Sequence, residues 1–144
     1  MQIIPLTDTR DLVVLAVGES FISALKEYVT RHPDTFCTVS GIGAVEELTC
    51  GYYDLTTQTY QTQTYTGPVE VASLTGNIVW HEGEPRVHAH GVFTDTNNHA
   101  FGGHIVDMQV AVTLELIVTH YSEVSVERVH DMAIGLPLLQ PRAD

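Results

Sequence analysis

From residue 11 the chain reads DLVVLAVGES, an apolar block that closes at Gly18. A short apolar run bounded by glycine predicts a buried strand. The next stretch, SFISALKEYVTRHP, changes period: Phe21, Ile22, Leu25, Tyr28 and Val29 recur three and four residues apart and share one face of a helix. Ser20 supplies an N-cap, and Pro33 follows the end. No other long stretch carries a helical period. Everything after it reads as strand: FCTVSG, AVEELTCGYYD, QTYQTQTYT, VEVASLTGNIVW, RVHAHGVFT and VAVTLELIVTHY, rich in Val, Thr, Tyr and Ile and separated by Gly, Pro, Asp and Asn. The Thr/Gln/Tyr run fits a solvent-facing strand. Alternation in VAVTLELIVTH sends Val110, Val112, Leu114, Leu116 and Val118 one way and Ala111, Thr113, Glu115, Ile117 and Thr119 the other. Glu82-Gly83 predicts a hairpin joining strands 74–80 and 86–93. The reading is α+β: an antiparallel-rich β-sheet, or two, with one main packed α-helix, in a single domain over residues 1–144.

Composition narrows the function classes. With 144 residues, 44% hydrophobic and 17% charged, the chain can bury a real core. Its net charge of −12 comes from 18 acidic and 6 basic residues. Those six, Arg10, Lys26, Arg31, Arg86, Arg128 and Arg142, are scattered, whereas nucleic-acid affinity comes from clustered Lys and Arg on phosphates. Direct DNA contact is therefore disfavoured, and the acidic surface favours solubility and attracts cations. Cys37 and Cys50 lie in apolar, strand-like stretches and read as buried thiols of a reducing compartment. MQIIPLTDTRD lacks a basic start and apolar core, and no apolar run nears the ~20 residues a membrane helix needs. A soluble cytoplasmic protein is expected.

The chemistry concentrates in VHAHGVFTDTNNHAFGGH, which holds His88, His90, His99 and His104. Alternate strand residues share a face ~6.6 Å apart, so His88 and His90 project together. A five-residue connection over 95–99, centred on Asn97, then sets Thr94 opposite Ala100, Val92 opposite Gly102 and His90 opposite His104. Opposed residues lie ~4.5–5.5 Å apart on one face, which brings three imidazoles within reach of one ion. A bulge at Gly102-Gly103 would break this parity. Gly91, Gly102 and Gly103 leave room beside the rings for an ion and a small ligand, or for another backbone. Three histidines without cysteine describe an open divalent-metal site, zinc first, with a position left for water or substrate.

Glu115 is a carboxylate in an otherwise apolar strand; a second-layer partner of a histidine, a general base and a salt bridge to Arg86 are all open. Asn77 reads as a turn residue after Thr75-Gly76. Gly41-Ile42-Gly43 lacks the strand–loop–helix context of a nucleotide fingerprint. His32, His81, His99, His120 and His130 show no partner pattern.

In order and spacing, GIGAVEELTCGYYD, VEVASLTGNIVWHEGEPRVHAHGVFTD and AFGGHIVDMQVAVTLELIV resemble the plant and prokaryote conserved (PPC) domain family from about residue 10 to about residue 130. The carrying motifs are Gly41-Ile42-Gly43-Ala44, Leu74-Thr75-Gly76-Asn77, His88-Ala89-His90, Gly102-Gly103-His104 and Glu115. The resemblance implies a twisted antiparallel sheet, a homotrimer and a metal held by His88, His90 and His104 near the subunit boundary. Plant members carry an AT-hook before the domain; the ten residues ahead of the first expected strand hold one arginine and no such element. More distantly, the family is similar in fold to acetolactate decarboxylase, whose zinc sits on three histidines, two of them as H-x-H. Two roles follow: a trimeric metal protein that binds or transforms a small anionic or carbonyl-bearing molecule, with Glu115 handling protons, or a DNA-associated regulatory and oligomerisation module with structural histidines.

Overall fold

The computed structural model describes residues 1–142. Its elements are β1 (Gln2–Thr7), β2 (Arg10–Ala16), α1 (Phe21–Val29), β3 (Phe36–Asp54), β4 (Thr59–His81), β5 (Glu84–Thr94), β6 (Ala100–Tyr121), β7 (Val126–Asp131) and β8 (Leu136–Pro141). One antiparallel sheet runs β1-β2-β6-β3-β4-β5, and β5 also pairs with β6. The strands β3, β4, β5 and β6 therefore form a closed circuit of pairings, while β7 and β8 make a separate ribbon.

The helix obeys its sequence signals. Ser20 accepts from the Ser23 amide at 3.1 Å, and Phe21, Leu25, Tyr28 and Val29 are buried. They meet the inward faces of the strands, where Val13, Leu15, Val39, Leu48, Leu74, Ile78, Phe93, Met108, Leu114 and Leu116 complete one core. Burial of this order, at roughly 25 cal/mol per Å² of apolar surface, is what holds a sheet of long strands together.

The expected strands are present, and two pairs of them are single longer strands. FCTVSG and AVEELTCGYYD are one strand across Gly41 and Gly43, and QTYQTQTYT continues through Gly67-Pro68 into VEVASLTGNIVW. Register shifts at Gly41/Gly43 and Val45/Glu47 absorb these residues as bulges, so the strands bend without ending. The alternation also fails at Val112, which is 67% exposed. Opposite it β3 advances from Gly43 to Val45 while β6 moves from Leu114 to Val110, so two extra residues bulge out and the inward alternation resumes at Val110. The strands β1, β7 and β8 were not expected. Pro5, Pro137 and Pro141 mask them, and proline is tolerated because β1 is an edge strand and β7–β8 a two-stranded ribbon. The Glu82-Gly83 hairpin is as expected: both residues have positive φ, and Val79 opposes Arg86. Cys37 and Cys50 are buried free thiols. No helix among the described residues is long and apolar enough to cross a membrane.

Candidate metal centre

The connection between β5 and β6 sets the site. Asp95 accepts from the Asn97 and His99 amides at 2.8 and 2.9 Å, and Asn98 takes a positive φ, which closes the turn. Pairing then runs Thr94↔Ala100, Phe93↔Phe101, Val92↔Gly102, Gly91↔Gly103 and His90↔His104, with no bulge at the glycine pair. His88 follows on the same face of β5. The three rings lie with centroids 5.2 Å apart in every pair. His88 Nε2 is 3.2 Å from His90 Nε2, and one ligating atom from each ring lies within 4.8 Å of the others.

A second motif backs the first. Thr75, Gly76 and Asn77 of β4 stand opposite His90, Ala89 and His88. Asn77 is therefore a strand residue and not a turn residue, and its Oδ1 accepts from Arg128 Nη2 at 2.8 Å. The glycines serve neighbouring backbone and a ring, leaving no free space of their own. A Cβ on Gly102 would meet Gly91 O at 2.5 Å, one on Gly103 would meet Gly51 O at 2.6 Å, and one on Gly91 would meet Phe93 Cζ at 2.5 Å. They let three strands close up around the imidazoles.

The cluster suits a cation. Two ligands ~2.1 Å from a tetrahedral ion stand about 3.4 Å apart, close to the His88–His90 spacing. His104 Nδ1 is buried with no hydrogen-bond partner. Burial, then Arg128 and His90, holds the His88 imidazolium below its ordinary value. Burial, reinforced by His88, His90 and Arg128, pushes His104 down to about 4. Both rings are thus neutral at pH 7, as ligands must be. Tyr60 lies against His104 with ring centroids 4.8 Å apart.

Glu115 does not join this cluster within the chain. It is exposed on β6, opposite Val14 and Ile42, eleven residues beyond His104 or on the order of 36 Å along the strand. Nor does it form an ion pair with Arg86 among the described residues. The apolar neighbours that marked it as costly point into the core, while its own side chain meets water.

Sequence reasoning missed a second grouping: Asp11, His32 and His120 each place a ligand-type atom within 4.8 Å of the others. Asp11 is buried and accepts from the Tyr28 hydroxyl at 2.6 Å, and His32 stacks on His120 at 4.2 Å and 22°. The parts come from β2, the turn after α1 and the end of β6, so no local spacing reveals them. Near-parallel rings aim their lone pairs side by side and not at one point, so the group is best read as a packed polar network. Burial and the neighbouring His120 hold the His32 imidazolium below its ordinary value of 6.5. The unfolded chain then binds this proton more readily than the folded one, so stability is complete above 6.5 and falls as pH drops through the window below it. Urea unfolding at pH 7.5 and pH 5.5 measures the loss, and His32→Phe, which keeps the stack, makes that loss smaller.

Comparison with known proteins agrees with this geometry. No curated protein matches the chain by sequence. Among solved structures, a candidate DNA-binding protein from Ralstonia eutropha JMP134 is 33% identical at a TM-score of 0.85, with 94% of each chain covered. A plant- and prokaryote-conserved (PPC) protein of Pyrococcus horikoshii is 27% identical at 0.83, covering 93% of this chain and 92% of that one. The metal-containing protein AF0104 from Archaeoglobus fulgidus is 26% identical at 0.81, covering 91% and 92%. The alpha-acetolactate decarboxylase of Bacillus subtilis strain 168 shares the fold alone, at 14% identity and a TM-score of 0.56 over 76% of this chain and 51% of that one. The family model of the Plants and Prokaryotes Conserved (PCC) domain matches residues 8–122, and the chain belongs to that family.

Proposed function

We propose that this is a cytoplasmic, homotrimeric metal protein in which His88, His90 and His104 hold one divalent ion, zinc first, beside a cleft for a small molecule. The observation that carries the reading is the His90↔His104 register, which gathers three imidazoles around one point. A bound divalent ion supplies Lewis acidity toward a carbonyl or carboxylate oxygen and lowers the pKa of bound water. The chain's own groups do the rest: Asn77 fixes the Arg128 guanidinium, and Tyr60 packs on the His104 ring. The description of the Archaeoglobus relative as metal-containing supports this reading. Exposed Val17, Ile42 and Val112 support assembly, being large apolar side chains that a monomer leaves in water. Cobalt(II) titration tests the site: visible ligand-field bands of tetrahedral intensity are expected in the wild type and not in His90→Ala, and their absence from both contradicts it. Light scattering on the same sample should return three times the 15.8 kDa chain mass.

A second reading, a DNA-associated regulatory module, draws on the description of the Ralstonia relative. The −12 charge and scattered basic residues oppose direct contact. Retention on duplex DNA at low salt, lost as salt rises, would support it.

A further inference from the structure

We infer that the β7–β8 hairpin completes an anion subsite beside the three histidines, and that the ligand is a small carboxylate anchored by Arg128. The hairpin lies beyond residues 8–122, which the family model matches. It is tied down where it matters. Tyr53 donates to Ile134 O at 2.8 Å and Gln58 Nε2 to Ala133 O at 3.0 Å, which seats the turn on the β3–β4 end.

Arg128 then reaches back over the histidines. Its Nη2 donates to Asn77 Oδ1 at 2.8 Å and its Nη1 to Pro137 O at 3.1 Å. Both acceptors are neutral, and no carboxylate lies within ion-pair distance of it among the described residues. None of the six Lys and Arg side chains is ion-paired among the described residues, and Arg128 alone of them is not fully exposed. Two of a guanidinium's five N–H groups are used, and the other three keep its fork free for a bidentate partner. The cleft it borders holds about 420 Å³ and is lined by Tyr60, Arg86, His88, His104, Arg128 and the hairpin's Pro137, among others, with no Asp or Glu. A half-buried cation without a counter-ion, in an acid-free cleft of an acidic protein, is matched by an anion.

Carboxylate is favoured over phosphate by the donors present. One planar fork matches two carboxylate oxygens, whereas phosphate sites generally add a helix N-terminus or a run of free backbone N–H groups, and none borders this cleft. Val87, Leu136 and Leu138 offer apolar wall for a short carbon skeleton. This inference rests on the metal reading for where the ligand's other end lies, while the arginine anchor stands apart from it.

The test is an NMR titration with glycolate, and separately with inorganic phosphate, of zinc-loaded and metal-free protein as wild type, Arg128→Gln and Arg128→Lys. Zinc content and circular dichroism are read on each sample. The expected result is glycolate binding to the wild type that weakens at least about tenfold in Arg128→Gln, with zinc and fold unchanged, and recovers in part in Arg128→Lys. If Arg128→Gln does not fold, Arg86→Gln at the exposed mouth should weaken binding about threefold. Equal glycolate affinity in wild type and the arginine variants overturns the proposal, as does phosphate binding more tightly than glycolate. A wild type that takes no zinc but keeps an Arg128-dependent glycolate site sinks the metal reading and leaves the subsite standing.

Discussion

Gly51→Val should strongly destabilise the protein and weaken the metal centre with it. Gly51 sits in a row that crosses four strands: Thr75 of β4 faces His90 of β5, His90 faces His104 of β6, His104 faces Gly51 of β3, and Gly51 faces Thr62, back on β4. This row closes the circuit of pairings, and two histidines of the cluster stand in it. A Cβ at Gly51 would lie 2.0 Å from the Gln61 carbonyl oxygen and 2.9 Å from Thr62 Cα. Both are backbone atoms, so no rotamer change relieves the clash and β3 must part from β4. Overpacking against movable side chains costs about 1–3 kcal/mol; against backbone the cost should be about 3 kcal/mol or more. The urea midpoint should fall accordingly, and zinc affinity should fall with it because His104 pairs directly with residue 51. An unchanged midpoint would show that β3 and β4 can part at residue 51 at little cost.

Phe93→Ala should be the most damaging core truncation near the site. Phe93 is fully buried, stands opposite Phe101 with ring centroids 5.7 Å apart, and lies under Gly91. Its removal loses the transfer energy of the ring and leaves a cavity beneath β5, together about 3–5 kcal/mol. The same truncation removes the floor under the segment that carries His88 and His90, so metal affinity should drop even where the protein stays folded. Val92→Ala is the control: Val92 is 48% exposed one residue away, and its truncation should move stability by no more than about 0.5 kcal/mol. Comparable losses in both variants would place the support for β5 elsewhere.

The sequence was most readable where local rules decide the outcome. The helix carried its period and cap, and the 95–99 turn carried Asp95 and its asparagines, so the three-histidine register followed from parity alone. Reading failed where a distant partner decides. Gly41, Gly43 and Gly67-Pro68 look like chain punctuation, yet they sit inside strands as bulges. Asn77 resembles a turn residue until β5 and Arg128 are in place beside it. Glu115 looked buried because its neighbours along the strand are apolar, but alternation puts it on the outer face. Asp11, His32 and His120 meet only through the tertiary fold. The β7–β8 hairpin, with two prolines in one strand, gave no periodic signal, although it brings Arg128 to the cleft.

Elemental analysis of tag-free protein beside a His88→Ala/His104→Ala variant, each reloaded with zinc and desalted, tests whether the three histidines hold a metal. About one divalent ion per chain is expected in the wild type and almost none in the variant, with both folded. No metal in the wild type, or equal metal in the two, would contradict it.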